Sequence, residues 1–515
     1  MIFLVSSILA LPIANASVEI DDLLLDNSTT LSGDPGPLPS AETAHRRLRC
    51  VGWRATHSCT PTGARQPEND KTCSEVITGG SSGYCEVEDR DSGEHFQVMR
   101  AHCTGLRHDV FFRCSESPYF AEFRADTNAV IKKATVPGFS LPHVDDSERT
   151  PRDGIVMVVY PKILVSAYAS IRVLRNVLNC RLPIEIWFHV DEIGENYALL
   201  APLQQLAIFV GDVSFHPMYN PRAKSFLSKV FAIYNSHFDR VLFLDADNVP
   251  VRDPAFLFES SQFETDGAVF WPDFWHPRRT LFNLHARSML WELVDTPYVD
   301  MFEQESGQLL VDRSRHAAPL ELVYFYAFHA PNFFAKLEVV YGDKDLFRLA
   351  WMKLEAPFHM IETVPAMAGR AINGSFCGMT MVQHDADGEV LFLHRNQHKL
   401  MDKPDKRLEK AEKDQMTVGS MVIPPPEEEE APQSDGYPDP IIWTHVMSFL
   451  KNASTTLYWI DTYRAAPQFP PWQPCYGRRF VDKLQFFELQ EVADQSFAGI
   501  ESDLRYYALE ARKWQ

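Results

Sequence analysis

The chain has no stripe of clustered lysine and arginine, no paired C-x2-C spacing and no internal repeat, and its amino-terminal apolar stretch, Ile2 to Ala14, is short. Each shortage removes a class of protein. Neutralising a phosphate backbone takes clustered cations, so a formal net charge of -20 without a basic stripe excludes nucleic acid as a partner. A structural zinc site normally shows pairs of closely spaced cysteines, and their absence argues against zinc as the reason for the cysteines. A membrane-spanning helix needs about 20 apolar residues, more than Ile2 to Ala14 supplies. That stretch reads instead as a signal peptide, with Ala14-Asn-Ala16 as an A-x-A cleavage pattern, although the basic n-region is missing. The alternative is a short signal anchor, which would attach the protein to a membrane.

What is present is globular material. The chain has 515 residues, 45% apolar and 23% charged, enough for one large core with smaller flanking parts. Six cysteines, Cys50, Cys59, Cys73, Cys85, Cys103 and Cys114, crowd a stretch with many Gly, Ser, Thr and Arg residues. A region with little core of its own needs staples, and the even count predicts three disulfides in an oxidising lumen, of unspecified pairing. Cys180, Cys377 and Cys475 are left as buried thiols, a remote pair, or both. The expected order is a signal or anchor (1–16), a polar stalk (17–45), a Cys-rich module (46–125), a catalytic domain (150–400), an acidic Pro-rich linker (401–440) and a partly helical carboxy-terminal extension (441–515). Asn27, Asn373 and Asn452 begin N-glycosylation sequons, which suit lumenal exposure.

Within 150–400 the hydrophobic pattern alternates between two periods. Gly154 to Tyr160 is a continuous apolar run, as expected of a strand buried on both faces. Val165, Tyr168, Ile171, Leu174 and Leu178 share one helical face, predicting a helix from Val165 to Asn179. Ile184–Val190 reads as a strand, Phe226 to Tyr234 as a helix and Arg240–Asp245 as a strand. Ala268–Trp271, Gln308–Val311 and Val390–Leu393 read as further strands, and Ala317–His329 and Asp343–Leu354 as helices. Alternation of this kind predicts an α/β fold with a mostly parallel sheet.

Arg240-Val-Leu-Phe-Leu-Asp-Ala-Asp-Asn-Val-Pro250 sets two carboxylates, Asp245 and Asp247, where a buried strand ends. Ligands of open α/β sheets gather outside the carboxyl ends of strands. Two hard oxygen donors there can hold Mg2+ or Mn2+, which neutralises a diphosphate and helps it leave. The bland alternative is a turn cap before Val249-Pro250. A sharper one is a haloacid-dehalogenase-type phosphatase, with Asp245 as nucleophile and Asp247 as general acid. That motif normally opens its domain, whereas βαβ pattern precedes it here, and no convincing later acidic motif follows, Gly342-Asp-Lys-Asp345 being the nearest.

Phe243-Leu-Asp-Ala-Asp-Asn-Val-Pro-Val-Arg-Asp-Pro254, Phe270-Trp-Pro-Asp-Phe-Trp275, Glu305-Ser-Gly-Gln-Leu-Leu-Val-Asp312, Tyr341-Gly-Asp-Lys-Asp345 and Phe392-Leu-His-Arg-Asn396 occur in one order. In that order they resemble the fungal mannan-type α-mannosyltransferases, over roughly Gly154 to Lys399. The resemblance implies a GT-A-like nucleotide-diphospho-sugar transferase fold, a GDP-mannose donor, a glycan acceptor, a metal such as Mn2+, and an α-mannosidic product made with retention, in the Golgi or elsewhere on the secretory pathway. Carried onto this sequence, it makes Asp245 and Asp247 the metal and donor motif and His394 a third ligand; imidazole is acceptable to Mn2+.

Further candidates sit around this motif. Lys229, one helix before it, can reach the phosphates, although a solvated helix lysine reads equally well. Trp271, Asp273 and Trp275 suit sugar stacking and hydroxyl contacts, with core packing as the plain alternative. Glu305, Gly307 and Gln308 read as a sugar-pocket loop in which glycine permits close backbone approach. Asp343 and Asp345 open a helix, where capping already accounts for acidic residues, and the resemblance adds a donor or acceptor role. No nucleophile stands out; Asp343 and Glu305 are the carboxylates expected nearest the chemistry. A third class, a secreted carbohydrate-binding protein with a degenerate transferase domain, is suggested by the Cys-rich module and opposed by the intact motifs.

Overall fold

The computed structural model describes residues 35–144, 150–194, 197–400, 441–466, 469 and 474–514. The expected signal, most of the stalk, the acidic linker 401–440 and the Asn27 sequon lie outside them. Among the described residues no helix is long and apolar enough to cross a membrane.

The apolar runs become the middle of a seven-stranded sheet. Its order is His359–Met360, Ala268–Pro272, Gln304–Asp312, Arg240–Leu244, Asp153–Val159, Ile184–His189 and Val213–Met218. The last four are parallel neighbours, with Arg240 opposite Asp153, Ile155 opposite Ile184 and Ile184 opposite Val213. Gln304–Asp312 runs antiparallel to both Arg240–Leu244 and Ala268–Pro272. The central strands are buried on both faces because helices cover them, which is why they read as unbroken apolar runs. The covering helices include Leu164–Arg172, which continues as a π-helical turn over Val173–Val177, and Leu227–Asn235. This is the mostly parallel, helix-flanked α/β sheet expected from the sequence.

A second, antiparallel sheet lies against the first. Its main path runs Asn248–Pro250, Val390–His394, Ser375–His384, Ala366–Ile372, His445–Phe449 and Phe487–Glu491. Residues 441–514 are therefore no appendage. They supply strands to this sheet, and helix Ile500–Ala511 packs on helix Leu164–Arg172. The extension reading fails because these strands are short and separated in sequence from the partners they complete. Cys377 and Cys475 form a disulfide across this sheet, and Cys180 is a buried free thiol.

The Cys-rich region forms a four-stranded sheet, Gly36–Pro37, His95–Ala101, Gly83–Asp89 and Leu48–Ala55 in order. It is stapled by the three disulfides expected, Cys50–Cys73, Cys59–Cys103 and Cys85–Cys114. The boundary at residue 125 falls inside helix Ser117–Ala134. Phe120 and Phe123 of that helix pack against Phe333, Phe325 and Tyr326 of the large domain. The Glu292 carboxylate accepts hydrogen bonds from the Met99 and Arg100 amides. Module and domain share one apolar core.

Candidate metal and donor site

The acidic motif is a strap between the two sheets. Strand Arg240–Leu244 ends the first, and Asn248–Pro250, pairing with Val390–His394, begins the second. The turn is closed by Asn248 N–H donating to the Asp245 carbonyl (2.9 Å) and Arg395 N–H to the Asp247 carbonyl (2.9 Å). The Asn248 side-chain amide donates to the Gly307 carbonyl (2.9 Å) and to Gln308 Oε1 (2.6 Å). Because Asn248 stands opposite His394 in register, the strap brings both carboxylates to the imidazole.

His394 Nε2 lies 3.5 Å from Asp247 Oδ1 and 3.9 Å from Asp245 Oδ2. One donor atom from each of the three side chains lies within 4.8 Å of the others. On its other edge, His394 Nδ1 is 3.4 Å from Glu305 Oε1, which also accepts the Gly307 amide at 2.7 Å. Lys229, 6% exposed, donates to Asp245 Oδ2 (3.2 Å) and the Ser306 carbonyl (2.9 Å) and stands 3.5 Å from Asp343 Oδ2. Lys399 forms an ion pair with Asp247 Oδ2.

The charges explain the acidities. Burial alone would raise the Asp247 carboxyl, but Lys399 and His394 hold it far below the usual carboxylate range. Burial opposes ionisation of Glu305 too, yet His394, Lys229 and the Gly307 amide bring it down to about 2. Burial works to lower His394, and the facing Asp247 and Glu305 carboxylates outweigh it, raising the imidazole to about 10. Asp343, 1% exposed, is pushed up to about 7 by burial, against the pull of Lys229. Asp245, Asp247, Glu305 and His394 thus form one charge network with Lys229 and Lys399.

Asp245, Asp247, His394, Lys229, Glu305, Gly307 and Asp343 come together. Gly307 is needed for close approach, since a Cβ there would lie 2.5 Å from His394 Nδ1. Other candidates are placed differently. Glu305, Gly307 and Gln308 lie in strand Gln304–Asp312, not in a loop, and Gln308 is buried holding Asn248. Trp271 is 0% exposed; its indole N–H donates to the His384 carbonyl at 2.7 Å and its ring meets Phe392 edge-on, so a sugar has no face to stack on. Trp275 packs in the apolar cluster with Phe376 and Tyr458. Asp345 is 0% exposed, its carboxylate accepting from Arg348 Nε (2.5 Å) and the Gln304 amide (2.9 Å), which binds it into the scaffold and away from substrate. It makes no side-chain cap to its helix. Asp273 is buried in an ion pair with Lys344 (2.6 Å), and burial pushes it up to about 7 against that lysine.

Lys399, Lys344 and Asn248 are the residues that sequence reasoning missed. Lys344 sits inside a quoted motif, and Asn248 directly follows the acidic pair. Lys399 had no signal, since only the course of the chain after strand Val390–His394 brings it to Asp247.

Residues 152–385 match a family model described as "Mannosyltransferase putative", a stretch that contains the acidic motif and stops short of His394 and Lys399. The chain is 27% identical over 272 residues to alpha-1,2-mannosyltransferase MNN2 of Saccharomyces cerevisiae, covering 45% of each chain. It is also 27% identical over 276 residues to alpha-1,2-mannosyltransferase MNN23 of Candida albicans, again 45% of each. The match therefore spans about half the length of these relatives. Among solved structures, the mannosyltransferase Ktr4p from S. cerevisiae aligns over 50% of this chain and 82% of its own, at 13% identity and a TM-score of 0.27. Residues 152–385, a little under half of this chain, are thus similar to the mannosyltransferase family.

Proposed function

We propose that the protein is a metal-dependent, retaining glycosyltransferase that moves mannose from GDP-mannose to a glycan acceptor on a glycoprotein or cell-wall polysaccharide. The bond is α-mannosidic, and the names of the relatives favour an α-1,2 linkage over α-1,3. The observation that carries this reading is the convergence of Asp245, Asp247 and His394 at the carboxyl end of a parallel strand, within or beside the family-matched stretch. Two carboxylates and an imidazole suit Mn2+, or Mg2+ with its preference for oxygen. Once bound, such an ion supplies charge neutralisation to a departing diphosphate.

The residues around it take defined parts. Lys229 and Lys399 present cations to phosphate oxygens. Glu305, with Oε1 3.4 Å from His394 Nδ1, holds that edge of the ring by charge so that Nε2 faces the acidic pair, where partners of metal-binding histidines stand. Asp343 fixes Lys229 from below. The catalytic roles expected of Glu305 and Asp343 are thus positioning roles here. Asp273 joins Lys344 and Glu303 in a buried charge cluster behind Glu305. Four disulfides suit an oxidising lumen, hence the secretory pathway and its Golgi compartments.

The test is donor turnover and transfer by the purified protein with a panel of nucleotide sugars, with Mn2+ or with chelator, beside Asp247→Asn. Consumption of GDP-mannose alone, abolished by chelator and by the substitution, is the expected result. Turnover of a generic phosphate ester that depends on Asp245 would replace this reading with a phosphatase. No turnover of either, with glycan binding retained, would make the chain a binding protein.

A further inference from the structure

A second cluster of metal-ligating side chains lies away from the donor site, toward the amino-terminal ends of the parallel strands. Glu185 is the second residue of strand Ile184–His189, His216 lies in the neighbouring strand Val213–Met218, and His237 precedes strand Arg240–Leu244. Glu185 is 1% exposed. Its Oε1 is 3.3 Å from His237 Nδ1 and 3.9 Å from His216 Nε2, and one donor atom of each of the three lies within 4.8 Å of the others.

The surroundings fix this geometry. Glu185 Oε1 accepts the His237 amide (2.9 Å) and Oε2 accepts the Trp187 indole N–H (3.0 Å), so the carboxylate is held rigidly. The rings form one cluster. Trp187 stacks on His216 with centroids 4.8 Å apart, His216 and His237 are tilted by 31° with centroids 4.8 Å apart, and His237 stacks on His143 at 4.0 Å. His237 Nδ1 is buried with no hydrogen-bond partner among the described residues. Besides the Glu185 carboxylate at 3.9 Å, His216 Nε2 has a hydrogen bond with a neutral hydroxyl, Ser214 Oγ, at 2.8 Å. The adjacent Arg313 spends its guanidinium on the Phe238, Pro142 and Tyr234 carbonyls, leaving the carboxylate to the imidazoles.

We propose that Glu185, His216 and His237 form a second divalent-cation site, of the Zn2+ class and structural in role. Two imidazole nitrogens and one carboxylate oxygen are a common zinc donor set, with bonds of about 2.0 Å. Ligand atoms on a tetrahedron of that size sit about 3.3 Å apart, the separation already present between Glu185 and His237. Closing the edge between Glu185 and His216 from 3.9 Å takes a shift of about 0.6 Å, within the reach of a side-chain rotation. Water completes the shell from the partly exposed His237 side. The ion satisfies the orphaned nitrogen and ties three successive segments of the sheet together. Through the His143 ring it also fastens the connector from the Cys-rich module. None of this depends on the transferase reading.

The test uses the full chain with Asp247→Asn and His394→Gln, which removes two of the three donors at the other site. Metal-stripped protein is titrated with Zn2+ by calorimetry and with Co2+ by visible absorption. One equivalent should bind, with an intense tetrahedral Co2+ band and a Zn2+-dependent rise in unfolding temperature. Adding His216→Gln or His237→Gln should weaken binding at least about 100-fold and abolish the rise, by loss of a direct ligand rather than an outer partner. In the otherwise unaltered chain the same changes should remove one equivalent of Zn2+. His237→Gln, with its partly exposed side chain, serves where His216→Gln disturbs the Trp187 packing. No stoichiometric binding in the double-substituted background, or binding that both glutamine variants leave unchanged, overturns the proposal.

Discussion

Gly307→Ala isolates the fit between strand Gln304–Asp312 and the imidazole of the donor site. The new Cβ would lie 2.5 Å from His394 Nδ1, 2.7 Å from its Cε1 and 2.9 Å from Glu305 Oε1. Ordinary contacts fall at about 3.5 Å, so the ring must recoil by roughly 1 Å. It has little room, being 6% exposed, flanked by Asp247 and Glu305 and carried on a strand paired on both sides. Overpacking of this kind costs about 1–3 kcal/mol, and a displacement near 1 Å at a reacting centre costs about 100-fold in turnover. The assay is a double-mutant cycle with His394→Ala, reading denaturant unfolding and metal-dependent donor turnover. Gly307→Ala should destabilise the parent but cost less than about 0.5 kcal/mol where the ring is gone. Equal destabilisation in both backgrounds would refute the reasoning, because the strain would then come from the strand itself.

Trp271→Phe removes the donor to the His384 carbonyl and should cost about 1–3 kcal/mol in unfolding free energy. Saturation kinetics should show an unchanged donor KM; a raised KM would return Trp271 to the sugar pocket. Arg348→Met leaves the Asp345 carboxylate buried without its cation and should destabilise by about 3–5 kcal/mol by denaturant titration, an effect absent from the Asp345→Asn, Arg348→Met pair if the charge is the cause. His384 is buried, with Lys451 acting in the same sense, and its imidazole is lowered to about 4. A histidine lowered in the folded state contributes stability that is complete above its ordinary value near 6.5 and is lost as pH falls toward 4. The His384 contribution, about 3 kcal/mol across that window, should appear as the difference between the wild-type and His384→Asn profiles, because Asp273 and Asp343, raised to about 7, act in the opposite sense in both proteins.

The central strands were legible because burial on both faces leaves an unbroken apolar run, as in Asp153–Val159 and Ile184–His189. The acidic pair was legible because a charged motif directly follows such a run. Glu305 to Gln308 misread as a loop because a polar tetrapeptide containing glycine looks like a turn, whereas here Gly307 makes room for a ring and Gln308 is satisfied by Asn248, residues remote in sequence. Trp271 and Asp345 misread for a related reason. Their partners, the His384 carbonyl and Arg348, answer the polar groups internally, and a sequence does not display which buried polar groups are already answered. The second sheet stayed hidden because its strands come from three separated stretches and mean little singly.

Glu501, on the carboxy-terminal helix, accepts from Arg395 Nη1 (3.0 Å) and from the Ile442 and Trp443 amides (2.8 and 2.9 Å), while the Arg395 amide holds the Asp247 carbonyl. The last helix is thus two bonds from the acidic pair. A minimal fragment trimmed to the family-matched residues would keep both aspartates and discard the buttress that aims one of them. Such a fragment should be inert even if it remains soluble, and the functional unit of this protein includes helix Ile500–Ala511.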